Sequence, residues 1–165
     1  MYKQRMYHFV IYQLSGIQAG IQSEHAVVEY IKTHWKDLDL QQWMNVDKTL
    51  IIKNGGTTNS VGYAAYSAEE YTGSLQDILH KLTDFGIKAE AFYEPDLNNA
   101  MTSIAFLVDE RIWDVEKYPD FLTIPGVLLH PMDNRILEAE AKEKGFTRKH
   151  LEIRDYLNSF HLAKN

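Results

Sequence analysis

The feature that most restricts the fold of this chain is its opening: an apolar and aromatic run from Met6 to Leu14 (MYHFVIYQL) breaks at Ser15-Gly16 and passes directly into residues with helical spacing. Such a run, rich in β-branched and aromatic side chains, is too short for an ordinary helix and suits a buried strand. Beyond the glycine, Ile17, Ile21, Val28, Ile31 and Trp35 recur at steps of three, four or seven. That spacing predicts an amphipathic helix with this stripe turned to the core. Strand, glycine turn and helix are the start of an α/β unit.

The pattern continues. Thr49 to Lys53 (TLIIK) reads as a second strand, closed by the turn formers Asn54-Gly55-Gly56-Thr57-Thr58-Asn59. Ser74 is expected to cap a helix whose Leu75, Ile78, Leu79 and Leu82 face one way, with Asp77 in its first turn and Gly86 as its stop. Lys88 to Tyr93 alternates as a third strand, and Pro95 to Asn99 turns the chain into a fourth, Thr102 to Val108. The order β-α-β-α-β-β predicts an α/β three-layer sandwich around a four-stranded mixed sheet. It occupies residues 1–110. Residues 111–165 differ in character: an aromatic and proline-containing stretch (Trp113, Tyr118, Pro119, Phe121, Pro125) precedes one helix from near Asp133 to Gly145 and another capped by Thr147, carrying Leu151, Ile153, Leu157 and Phe160. This C-terminal helical extension is expected to pack on the sheet or on a second subunit, and its aromatics favour a homodimer.

Composition removes several classes of function. The chain has no cysteine, which excludes disulfides, thiolate nucleophiles and Cys-ligated metals together. Its seven histidines include no His-x-x-x-His pair, so no metal or cofactor is expected. The N-terminus has neither a cleavage site nor the length of a membrane span, and a cytoplasmic protein without membrane contact is the simplest expectation. The net charge of −6 argues against a protein that holds nucleic acid mainly by neutralising phosphates. No Lys or Arg lies between Leu14 and Tyr30 or between Asn54 and His80. Any anion bound by those segments would be held by backbone N–H groups, amides and hydroxyls.

In open α/β sheets, ligands bind beyond the C-terminal ends of the strands. Three polar turns follow the first three strands here and are expected to meet on one edge. The first runs from Ser15 to Gln22, where Gln18 and Gln22 sit beside the free N–H groups of a helix start, and a polar face continues through His25, Glu29 and Lys32. The second is the Asn54 to Asn59 loop, in which Gly55 and Gly56 would let backbone amides approach a phosphate and Asn54 and Thr57 would donate to it. The third holds Asp96, Asn98 and Asn99, with Thr102 and Ser103 opening the next strand. Tyr63, Tyr66 and Tyr71 cluster after the Gly55-Gly56 loop, where their first use is core or interface packing and their alternative is to stack on a purine as a lid.

The stretch Gly20-Ile21-Gln22-Ser23-Glu24-His25-Ala26, straight after a first strand, resembles the Gln-Cys-x-His-Ala helix of the archaeal and eukaryotic type of peptidyl-tRNA hydrolase. The likeness extends in order through Thr49 to Lys53, Ser74 to Phe85, Lys88 to Tyr93, Asp96 as that family's active-site aspartate, and Thr102-Ser103, covering about two thirds of the chain from Met6 to Glu110. It implies catalytic roles for Gln22, Asp96 and Thr102. Two positions depart from the family. Its lysine seven residues before the helix histidine is Gln18 here, and its Asp-x-Gly-x-Thr loop reads Asp96-Leu97-Asn98-Asn99-Ala100-Met101-Thr102. A neutral amide replaces a full positive charge, and losing one oxyanion donor typically costs about 10²–10³ in rate.

The sequence therefore leads first to a non-catalytic protein that holds a small nucleotide-like ligand. The stretch Asp96 to Arg111 also resembles proteins of tailed bacteriophages, which implies an accessory role in the host cytoplasm such as sequestering a cyclic or linear nucleotide signal of bacterial defence. The alternatives are a divergent peptidyl-tRNA hydrolase, against which the acidity counts because its substrate is tRNA, and a homodimeric interaction module.

Overall fold

A computed structural model of the chain describes residues 1–58, 73–122 and 131–163, with backbone alone for 131–134. Asn59, Tyr63, Tyr66, Tyr71 and Pro125 fall outside the described residues. Two compact units form: Lys3–Val108 with Met1 and the C-terminal residues from Phe160, and Asp109–Ser159 with Tyr2.

The first unit contains β1 (Gln4–Ile11), α1 (Gly16–His34), α2 (Leu38–Gln42), a π-helical turn (Trp43–Asp47), β2 (Thr49–Gly56), α3 (Ser74–Asp84), β3 (Ala89–Glu94), a 3-10 turn (Pro95–Leu97) and β4 (Ala100–Asp109). The strands form one mixed sheet in the order β2-β1-β4-β3. β1 and β2 are parallel, in register from Arg5 opposite Thr49 to Val10 opposite Asn54, and β3 runs antiparallel to β4. Beyond β2, the chain end returns as an extended segment: Asn54 N–H donates to the His161 carbonyl and Ala163 N–H to that of Ile52, both at 3.0 Å. The Lys53 ammonium, largely buried, donates to the Phe160 carbonyl at 3.0 Å, and desolvation lowers its pKa.

Strand alternation divides the core into two layers. On one face Met6 and Ala105 pack with Ala26 and Tyr30 of α1 and with Leu40 and Trp43. On the other, Phe9 stacks on Phe106 at 5.7 Å and meets Phe160 edge-on at 4.7 Å, where the fully buried Leu75 of α3 lies against Gly55. The three-layer order read from the sequence is the one observed.

The orientation of α1 differs from the expectation. Its buried residues are Ala19, Ser23, Ala26 and Tyr30. Ile17, Ile21, Val28 and Trp35, expected in the core, are 80%, 48%, 48% and 57% exposed, while Ile31 of the same stripe packs partly buried against the core as expected. Small side chains under the helix let its backbone approach a sheet face that already carries large groups, and Tyr30 fills the wider end. Two smaller corrections follow from local chemistry. β1 ends at Ile11 because Tyr12 and Gln13 form the turn, and the N-cap of α3 is Gly73, the Ser74 hydroxyl being engaged by the preceding loop.

The second unit holds α4 (Glu110–Trp113), α5 (Pro131–Glu143) and α6 (Arg148–Asn158). Tyr118, Phe121, Phe146 and Leu151 make its core, so two of the aromatics that suggested a dimer face are buried within the unit itself. Arg154, also buried, donates from Nε to the Ile112 carbonyl and from Nη2 to that of Arg111, each at 2.7 Å, satisfying carbonyls of the short α4. Thr147 begins α6 as expected, its N–H donating to His150 Nδ1 at 3.1 Å.

Beneath α1 three polar side chains are buried without a hydrogen-bond partner: both ring nitrogens of His8 and the hydroxyls of Ser23 and Ser103. Alternation puts His8 on the face of Met6 and Ser103 on that of Ala105, so all three belong to the α1 layer. Burial depresses the His8 pKa to about 4. The unfolded chain then takes up a proton below about pH 6.5 that the folded chain refuses until about pH 4, so stability falls as pH drops through that window. The full effect is about 3 kcal/mol. Urea denaturation between pH 7 and pH 4 is expected to show this loss in the native chain and a much flatter profile in His8→Leu.

Candidate functional site

The turns after β1, β2 and β3 do converge on one edge of the sheet. Tyr12 N–H donates to the Gly56 carbonyl at 2.9 Å, joining the first turn to the second. Thr58 Oγ1 donates to the Met101 carbonyl at 2.5 Å, tying the second to the start of β4. Gln22 of α1 links the first turn to the third.

Gln22 is the centre of that edge. Its Nε2 donates to Glu94 Oε2 at 2.6 Å, while its Oε1 accepts a short hydrogen bond from the Thr102 hydroxyl. A β-bulge makes this possible: Phe92 pairs with Ser103 and Tyr93 with Met101, leaving Thr102 as the extra residue whose side chain is re-aimed. Both ends of the Gln22 amide are therefore engaged by protein groups. Thr102 and Ser103 are fully buried, and Gln22 is half-buried.

Gln18 has a local task. Ser15 N–H donates to Gln18 Oε1 at 3.0 Å and Gln18 N–H to Ser15 Oγ at 3.4 Å, a capping box that satisfies two free donors of the helix start. His25 is exposed, and its ring stacks on Phe92 at 4.6 Å. Among the described residues no hydrogen bond joins it to Gln22 or Asp96.

The glycine loop is closed on itself. Asn54 Oδ1 accepts from Gly56 N–H at 2.8 Å, Thr57 N–H donates to Ser74 Oγ at 2.7 Å, and Ser74 Oγ donates to the Gly55 carbonyl at 2.7 Å. Gly56 sits at φ +84, and a side chain there would run into the Ser74 hydroxyl; one at Gly55 would strike Leu75. Both glycines thus serve the docking of α3 on β2. The backbone amides of Gly56 and Thr57 already have partners.

Asp96 lies exposed in the 3-10 turn, followed by Asn98 and Asn99 in left-handed conformations at φ 53 and 57. The carboxylate that reaches Gln22 is Glu94, a residue the sequence did not single out. Its only cue was its register on β3, two positions after Phe92. Among the described residues no lysine or arginine pairs with Glu94 or Asp96, and no cluster of His, Asp and Glu could hold a metal ion. The edge presents acceptors and amides.

A cleft between Val10, Ile11, Ala19 and Asn54 measures about 20 Å³, room for about one water. The second unit contains a larger cavity of about 590 Å³ walled by Val115, Tyr118, Phe121, Leu137 and Phe146, with Lys117 and Lys144 among its charged residues. The aromatic and proline composition of that stretch was its cue in the sequence.

No protein-family model matches the chain, and no curated protein matches it. No helix among the described residues is long and apolar enough to cross a membrane. The fold and edge define a mixed α/β protein with strand-end loops tied by one glutamine.

Removing that tie leaves the Glu94 carboxylate and the buried Thr102 hydroxyl without their partner. Gln22→Ala is expected to cost about 1–3 kcal/mol in urea denaturation. Gln22→Glu, which sets a second carboxylate beside Glu94, is expected to be more destabilising at pH 7 than at pH 4.

Proposed function

We propose that this chain is a non-catalytic binding protein of peptidyl-tRNA-hydrolase-like architecture, and that its strand-end edge holds a small nucleotide-like ligand by the base and ribose. The observation that carries the reading is the state of Gln22, whose amide is clamped between Glu94 and Thr102, with Gln18 taken up in the helix cap. Gln22 turns its Nε2 to a carboxylate and Gln18 is oriented by its Oε1 into the helix cap, so both amides are positioned by the protein itself, and among the described residues the nearest carboxylates lack a cationic partner.

The same chemistry selects the part of the ligand that is gripped. Glu94 and Asp96 are acceptors suited to ribose hydroxyls, a use of acidic side chains familiar from dinucleotide-binding folds. Asn98 and Asn99 expose amides that donate and accept, as the edge of a nucleobase requires. Phosphates are better left in solvent, since carboxylates flank the site and the Gly56 and Thr57 amides are occupied. The balance disfavours tRNA as substrate.

Calorimetric titration with adenosine and with mono-, di- and cyclic nucleotides tests this. Nucleoside and nucleotide are expected to bind with similar affinity, and Glu94→Ala to weaken both at least about tenfold, the loss of one charged hydrogen bond. Absence of heat with every ligand would sink the ligand assignment. Release of amino acid from a blocked aminoacyl-tRNA at enzyme-like rates would sink the non-catalytic one. Gln18→Lys is expected to stay inert and to lose about 0.5–1 kcal/mol of stability with its cap.

A further inference from the structure

The outer face of α1 is apolar where a solvated helix should be polar. Ile17, Ile21, Glu24, Val28, Ile31 and Trp35 follow one another at alternating steps of four and three, the spacing of a helix–helix seam. Apart from Ile31, which packs against the core, the sheet makes little use of this seam, because α1 buries Ala19, Ser23, Ala26 and Tyr30 instead. With Ile17 80%, Ile21 48%, Val28 48% and Trp35 57% exposed, the seam leaves on the order of 500 Å² of side chain uncovered, taking about 200 Å² for a whole large side chain. Contiguous patches above a few hundred Å² mark interaction surfaces.

We infer that this seam is a twofold interface with a second copy of the chain, the two α1 helices lying antiparallel about Val28. The face is complementary to itself. Reversal about Val28 sets Val28 on its own copy and brings Ile21 to the level of the second copy's bulky Trp35, each seven residues from the centre. It also brings Glu24, the one acidic group in the seam, to the level of Lys32 of the second copy, four residues on the other side. Antiparallel placement further opposes the two helix dipoles. The area is somewhat below the roughly 800 Å² per partner of a stable complex and is completed by flanking residues such as Lys32 and Lys36, whose ammonium lies 5.3 Å from the Trp35 ring centre. Gln22 and His25 face β3 rather than the seam, so the pairing is independent of the ligand proposed above.

The full chain tests this by sedimentation velocity at about 100 μM, a concentration at which a Kd of about 10 μM or tighter leaves most of the chain dimeric. The native chain is expected at twice its monomer mass, and Val28→Glu and Ile21→Glu at monomer mass with unchanged far-UV circular dichroism. Because the chain has no cysteine, register is read directly. Val28→Cys is expected to oxidise to a covalent dimer, whereas Thr33→Cys, exposed on another face of α1, is not. A monomeric native chain, including one whose seam is protected from hydrogen exchange by its own residues, would overturn the inference. So would a dimer that survives both glutamate variants, or equal cross-linking at positions 28 and 33.

Discussion

The close approach of α1 to the sheet sets the terms for the rest of the first unit. Ala19, Ser23 and Ala26 present almost no side-chain bulk, so the helix settles against Met6 and Ala105 with Tyr30 and Trp43 sealing one end. Two consequences follow from that single contact. The flank of the helix beside β3 comes within reach of Glu94 and of the bulged Thr102, which is why Gln22 can bond both. The opposite face, with its isoleucines, valine and tryptophan, is left outside. A helix with leucines at 19, 23 and 26 would stand farther off, bury its own stripe less selectively, and lose the Gln22 bridge.

The same closeness explains the unpartnered polar groups in this layer. His8, Ser23 and Ser103 lie where a larger apolar set would be expected, and neither serine hydroxyl is answered. A methyl group at Ser23 or Ser103 would cost nothing in desolvation, yet the imidazole and both hydroxyls persist under one helix. Each unpaired group carries a penalty of about 1–3 kcal/mol. Close packing by small residues compensates part of that through dispersion contacts that a looser layer would lack.

Much of this architecture was legible in the sequence. The strand–glycine–helix opening, the helix beginning at Ser74, the Gly86 stop and the four strands in order all follow from local chemistry, and the structure returns them within a few residues. The facing of α1 was not legible, because two stripes share one period. Ile17, Ile21, Val28 and Trp35 have the stronger hydrophobicity, while Ala19, Ser23, Ala26 and Tyr30 have the right sizes for a crowded sheet. Only the partner surface decides between them. Glu94 was hidden for a similar reason: its bond to Gln22 spans 72 residues of chain, and nothing in its neighbourhood marks it. The glycine pair was visible, but its use was not. A phosphate loop and a helix-docking corner ask for the same residues, and the Ser74 hydroxyl that takes the Thr57 amide lies 17 residues on.

Gln18 shows how charge and local stability compete at the start of α1. A lysine there would place a positive charge at the positive end of a helix dipole, at a cost of about 0.3–1 kcal/mol. Glutamine removes that repulsion and adds the bond from Ser15 N–H at 3.0 Å. The neutral cap and the clamped amide are alike in what they use: Ser15 N–H holds Gln18 Oε1, and the Gln22 amide joins Glu94 to Thr102, so uncharged amides fix both the start of the helix and the edge of the sheet beside it.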